Sequence, residues 1–152
     1  MSGELGELYQ EIILEHSKAP RNYRRPDSAN HEADGYNPLC GDRCSVYIDM
    51  EGGKIEEIGF QGSGCAISRA SASMMTQMVK GKTKEEAAQL FERFHSLVTG
   101  KDEAAAVEEL GKMAVFAGVS KFPARVKCAT LAWHTLQKAI KDEKEKEPAS
   151  SA

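Results

Sequence analysis

The chain has 152 residues, 41% of them hydrophobic and 28% charged, which is the size and balance of one globular domain built on a single core. Its 23 acidic and 20 basic residues leave a formal net charge of -3 with no long basic block, so the electrostatic footprint of a nucleic-acid binder is missing. No apolar run approaches the roughly 18 residues of a membrane span, and Glu4 and Glu7 stand where a signal peptide would be basic and then apolar; the expected location is the cytosol.

Leu5, Leu8, Tyr9, Ile12 and Ile13 recur at three- and four-residue spacing and predict a first helix that ends before Pro20. The segment from Lys18 to Leu39 is rich in Pro, Asn, Asp and Arg, and predicts an extended, exposed connection that leads to Cys40. After Asp42, the residues Cys44, Val46, Ile48 and Met50 alternate with Ser45, Tyr47 and Asp49. Glu51-Gly52-Gly53 then turns the chain into a second strand from Lys54 to Gln61, so a hairpin is expected. Gly62-Ser63-Gly64 breaks that strand, and Ala66 to Lys80 reads as a helix opened by Cys65 and stopped by Gly81. Thr83 and Glu86 form a capping-box pattern for a helix that reaches Thr99-Gly100. A short helix over Ala104 to Leu110 follows, and Pro123 starts a last helix through Cys128 to about Lys141. Residues 1–141 thus read as one domain. From Lys141 onward seven of twelve residues are charged, and 142–152 is expected to be a disordered tail.

Cytosolic thiols stay reduced, so grouped cysteines there point to metal binding or thiol chemistry rather than disulfides. Cys40, Asp42, Cys65 and Cys128 all fall at element ends and together offer the three thiolates and one carboxylate that tetrahedral zinc accepts. The cysteines lie 25 and 63 residues apart, so only the fold could unite them, and any one of them alone would read as a small buried hydrophobe. Their placement at helix N-termini, where the dipole favours thiolate, argues for Cys65 and Cys128 as ligands. Cys44 shares a strand face with Val46 and Ile48 and reads as core. Three thiolates, one carboxylate and a divalent ion sum to a formal charge of -2, for which Arg43, Arg125 and Lys127 are candidate compensating cations; Arg125 could also dock a partner. Gly59, Gly62 and Gly64 invert the dinucleotide fingerprint and read as glycines that let backbone approach a metal. His134, six residues past Cys128, turns away from it, and His16, His31 and His95 read as ordinary surface or core residues.

The block Asn37 to Arg43, the run Gly62 to Gln77 and the run Gly118 to Trp133 closely resemble the SufU branch of the IscU-like iron–sulfur cluster assembly proteins. A helical insert around Gln89 to Ala106 matches the same branch, and Lys127 stands where IscU-type scaffolds carry a histidine. The resemblance implies an α+β fold, a small antiparallel β-sheet covered by helices, with zinc on Cys40, Asp42, Cys65 and Cys128. It also implies a zinc-dependent sulfurtransferase that accepts persulfide sulfur on Cys40 from a SufS-type cysteine desulfurase and hands it to downstream iron–sulfur assembly proteins. A desulfurase histidine would replace Cys40 on the metal, and Arg43 or Arg125 would steady the released thiolate. The same donors would permit an alternative, a scaffold on which a [2Fe-2S] cluster is assembled.

Overall fold

The structure, a computed structural model, describes residues 2–39, 41–101 and 110–141, with residues 2–9 described by their backbone alone. The elements in chain order are α1 (Ser2–Lys18), β1 (His31–Asn37), β2 (Asp42–Glu51), β3 (Lys54–Ser63), α2 (Ala66–Val79), α3 (Lys84–Val98), a 3₁₀ helix (Gly111–Lys121) and α4 (Pro123–Lys141). The three strands form an antiparallel sheet in the order β1-β2-β3. The α+β class and the helix-covered sheet expected from the sequence are therefore the observed architecture.

The hairpin runs as expected, with Gly52 and Gly53 both at positive φ in the turn and β3 continuing two residues further, to Ser63. Along β2 the side chains of Asp42, Cys44, Val46 and Ile48 are buried while Arg43 is exposed, the period of two that puts alternate residues on opposite faces. The inward face packs under α4, which lies across β1 and β2 and beside α2. Gly35 of β1 makes this approach possible, because a Cβ there would stand 2.1 Å from Thr135 Oγ1 of α4. Ile48, Ile58, Met75, Phe94, Phe116, Trp133 and Leu136 are fully enclosed at the centre.

Two regions differ from expectation. The Lys18 to Leu39 segment contains a third strand, β1, whose Gly35, Tyr36 and Asn37 stand opposite Cys44, Arg43 and Asp42. Its sequence, HEADGYN, lacks an apolar alternation because one edge strand with a half-exposed face needs only occasional burial, here supplied chiefly by Asn37. The 3₁₀ helix was also not expected. It buries Met113, Phe116 and Val119, and a spacing of three aligns those side chains when a helix has three residues per turn. The short helix expected over Ala104 to Leu110 and the expected tail 142–152 lie outside the described residues, apart from Leu110, which is buried.

Candidate metal centre

Each donor is delivered by a separate element. Asp42 is the first residue of β2 and belongs to its inward-facing series, so the strand carries a carboxylate on its apolar face, only 1% exposed. A buried carboxylate is costly unless something compensates it, and the Cys65 backbone N–H does so in part, donating to Asp42 Oδ1 at 3.0 Å. Gly64 has to lack a side chain for that contact to form, since a Cβ there would meet Asp42 Oδ1 at 2.6 Å. Of the three glycines expected to let backbone approach a metal, Gly64 approaches the Asp42 carboxylate, whereas Gly59 and Gly62 approach the backbone of Arg24 and Arg43.

Cys65 caps α2: its Sγ accepts the Ser68 N–H at 3.4 Å, so the sulfur sits on the helix N-terminus, where the backbone N–H groups present partial positive charge. Cys65 Sγ lies 3.8 Å from Asp42 Oδ2. Cys128 differs from expectation in one respect. It is the sixth residue of α4, beyond the first turn in which the helix dipole is felt, so its fitness as a donor comes from convergence and not from capping. The helices that carry the two thiols are tied directly, Ser71 Oγ of α2 donating to the Ala129 carbonyl of α4 at 2.6 Å.

One donor atom from each of Asp42, Cys65 and Cys128 lies within 4.8 Å of the others. Two ligands of a tetrahedral ion with bonds of about 2.3 Å stand about 3.8 Å apart, so these donors fit a single small cation with only slight inward movement. Thiolate with carboxylate suits zinc, and thiolates also suit iron, so the donor set alone permits both. Position 40 lies outside the described residues. Beside it, the Gly41 N–H donates to the Asn37 carbonyl at 2.8 Å and Gly41 takes the positive φ of a tight bend.

Cys44 stays apart, as expected. It is 4% exposed on the core face, and burial pushes its thiol up to about 12, which keeps it neutral. Arg43, next to Asp42 but on the opposite strand face, lays its guanidinium 4.7 Å over the Tyr36 ring. Arg125 lies 4.9 Å over Phe122, and it and Lys127 are exposed on the first turns of α4. His134 rests edge-on against Phe91 at 5.0 Å. His16, by contrast, is buried and its Nδ1 pairs with Ser73 Oγ at 2.7 Å, joining α1 to α2.

The fold and the donor cluster together define a small α+β protein in which three residues able to hold a metal ion, Asp42, Cys65 and Cys128, converge at one end of a three-stranded sheet. The family model of the NifU-like N terminal domain matches residues 8–129, which include the three converging donors and Cys40. The iron–sulfur cluster assembly scaffold protein IscU of Streptococcus pyogenes serotype M1 is 45% identical over 138 residues, 91% of this chain and 86% of that one. The zinc-dependent sulfurtransferase SufU of Bacillus subtilis is 42% identical over 142 residues, 93% of this chain and 95% of that one. A solved structure from Fervidobacterium islandicum AW-1, described as an iron–sulfur cluster assembly scaffold protein for the SUF system, is 36% identical. It superposes with a TM-score of 0.80 over 89% of this chain and 98% of that chain. The protein belongs to the NifU-like N-terminal domain family, among its IscU- and SufU-type members. No described helix is long and apolar enough to cross a membrane.

Proposed function

We propose that this IscU/SufU-type iron–sulfur cluster assembly protein holds one zinc ion on Asp42, Cys65 and Cys128, with Cys40 as the fourth ligand, and transfers sulfur through Cys40. The observation that carries the reading is the convergence of a buried carboxylate and two thiols from three elements within 4.8 Å. The name of the Bacillus subtilis relative, a zinc-dependent sulfurtransferase, supports it, as does Lys127 at the place of the scaffold histidine.

Bound zinc would hold its cysteines as thiolates at neutral pH. The protein's own residues supply the rest. The Asp42 carboxylate, fixed by the Cys65 N–H, and the Cys65 sulfur that caps α2 form one wall of the site. The Cys40 thiolate attacks the outer sulfur of a persulfide on a cysteine desulfurase of the SufS type. The donor's S–S bond breaks, the donor cysteine leaves as a thiolate, and Cys40 carries the new persulfide, with no net change of oxidation state. To Arg125, exposed one turn before Cys128, we assign the roles of receiving the partner and steadying the anionic sulfur. Downstream iron–sulfur assembly proteins take the sulfur next.

A second reading is that a [2Fe-2S] cluster is built here as cargo, and the scaffold name of the Streptococcus pyogenes relative favours it. The experiment is transfer of radiolabelled sulfur from cysteine through a SufS-type desulfurase to the zinc-loaded protein. Label is expected on the wild type and absent from Cys40→Ser at unchanged zinc-to-protein stoichiometry or at three-ligand retention. Equal labelling of both would overturn the assignment of Cys40, and stoichiometric iron with visible cluster absorbance in the purified protein would favour the scaffold.

A further inference from the structure

The segment between α1 and β1 braces the metal centre from outside. The Arg21 N–H donates to Ser73 Oγ at 2.8 Å and Asn22 Nδ2 to Thr76 Oγ1 at 2.9 Å, which fastens the segment to α2. The Asn22 carbonyl accepts the Phe60 N–H of β3 at 3.0 Å, so the same residue spans helix and strand. Asn22 adopts φ 58, the left-handed conformation that asparagine tolerates, and the chain turns there to lay Tyr23 along the outer edge of β3.

The Tyr23 hydroxyl donates to the Gly62 carbonyl at 2.7 Å and accepts the Gly62 N–H at 3.2 Å, so one oxygen occupies both backbone polar groups of that residue. Its ring is fixed on two sides. Phe60 meets it edge-on at 5.1 Å, and the Arg69 guanidinium lies 5.4 Å over it, with Arg69 Nε donating to the Ser17 carbonyl at 3.0 Å. Phe60 and Gly62 precede the Ser63-Gly64-Cys65 turn, and Arg69 follows Cys65 by one turn of α2. Tyr23 therefore grips both ends of the turn that delivers the Cys65 thiol.

We propose that Tyr23 is a positioning residue for the metal centre, its hydroxyl and ring setting the place of the Cys65 thiolate through Gly62 and Arg69. The proposal rests on the reading of Asp42, Cys65 and Cys128 as metal ligands. Asp42 fixes the turn from within through the Cys65 N–H, and Tyr23 fixes it from without. Groups that orient a ligand matter to metal affinity by about 10- to 100-fold even though they never touch the ion. No charge separates Tyr23 from phenylalanine, and Tyr23 is 40% exposed, so removal of its oxygen leaves the core untouched.

The test compares wild type, Tyr23→Phe and Tyr23→Leu, each loaded with zinc and separately with cobalt(II). Competition with a chromophoric chelator is expected to show about tenfold weaker zinc retention in Tyr23→Phe and a larger loss in Tyr23→Leu. The ligand-field bands of the cobalt protein are expected to shift in both variants, while the thermal midpoint of the metal-free Tyr23→Phe protein matches wild type. Unchanged retention and an unchanged cobalt spectrum in both variants would overturn the proposal. So would a loss of retention matched by an equal loss of metal-free stability, the mark of a merely structural contact. Failure of the wild type itself to bind zinc would instead remove the ligand assignment on which the brace depends.

Discussion

Cys44 and Cys65 stand at opposite extremes of what a fold can do with a thiol, although Cys44 is two residues from Asp42 and Cys65 touches it. Both belong to the same end of the sheet. Cys44 points into an apolar layer, where desolvation makes the thiolate expensive and holds the thiol neutral. Cys65 is exposed, and its sulfur caps α2 by accepting the Ser68 N–H beside the Asp42 carboxylate, so it faces polar partners where, among the described residues, Cys44 has none. Strand periodicity decides the first and helix capping the second, so chemistry follows from local geometry and not from proximity to the carboxylate.

The contrast can be broken most directly by removing each sulfur in turn. Cys65→Ala is expected to abolish stoichiometric zinc binding, measured by elemental analysis after gel filtration, because it removes one of the two thiols that converge with Asp42 and leaves no donor atom there, whereas Cys40→Ser keeps that convergent set and a hydroxyl. Cys44→Ala is expected to keep full zinc occupancy and to cost about 1 kcal/mol of unfolding free energy from the small void it leaves. Zinc lost from Cys44→Ala, or retained by Cys65→Ala, would reverse the roles given to the two residues.

A smaller effect sharpens the same point for a buried group of another kind. Burial, and then the charge of Arg21, lowers the pKa of His16 from the usual 6.5, and burial does the same for His134. A histidine whose folded pKa lies below its unfolded one binds more protons when unfolded, so its stability contribution is complete above about 6.5 and lost as pH falls through that window. Thermal midpoints are therefore expected to decline from pH 7 to pH 5, and His16→Gln, which keeps a polar partner for Ser73, is expected to flatten part of that decline. A pH profile identical in wild type and His16→Gln would contradict this role.

Much of this was legible in the sequence, for reasons that differ by element. The capping box of α3 is complete, with Thr83 Oγ1 accepting the Glu86 N–H and Glu86 Oε1 accepting the Thr83 N–H, because such a box is a purely local pattern. The β2–β3 hairpin was equally plain from its alternation and paired glycines. Asp42, Cys65 and Cys128 could be nominated from element ends, but their convergence is a property of the whole packing. The β1 strand was hidden because its residues are mostly polar and lack the apolar alternation that marks β2, although its partner strand starts only five residues after it ends. Tyr23 was hidden because it acts on Gly62, 39 positions away, and nothing in its neighbourhood points there. The only local sign of that strap was Asn22, a residue type at home with positive φ, directly before an aromatic.

The central claim, that one zinc ion is shared by Cys40, Asp42, Cys65 and Cys128, is tested most directly by X-ray absorption at the zinc edge of the loaded wild-type protein. Three sulfur neighbours at about 2.3 Å and one oxygen at about 2.0 to 2.2 Å are expected, falling to two sulfurs in Cys40→Ser. A first shell dominated by oxygen or nitrogen, or a sulfur count that Cys40→Ser leaves unchanged, would contradict it.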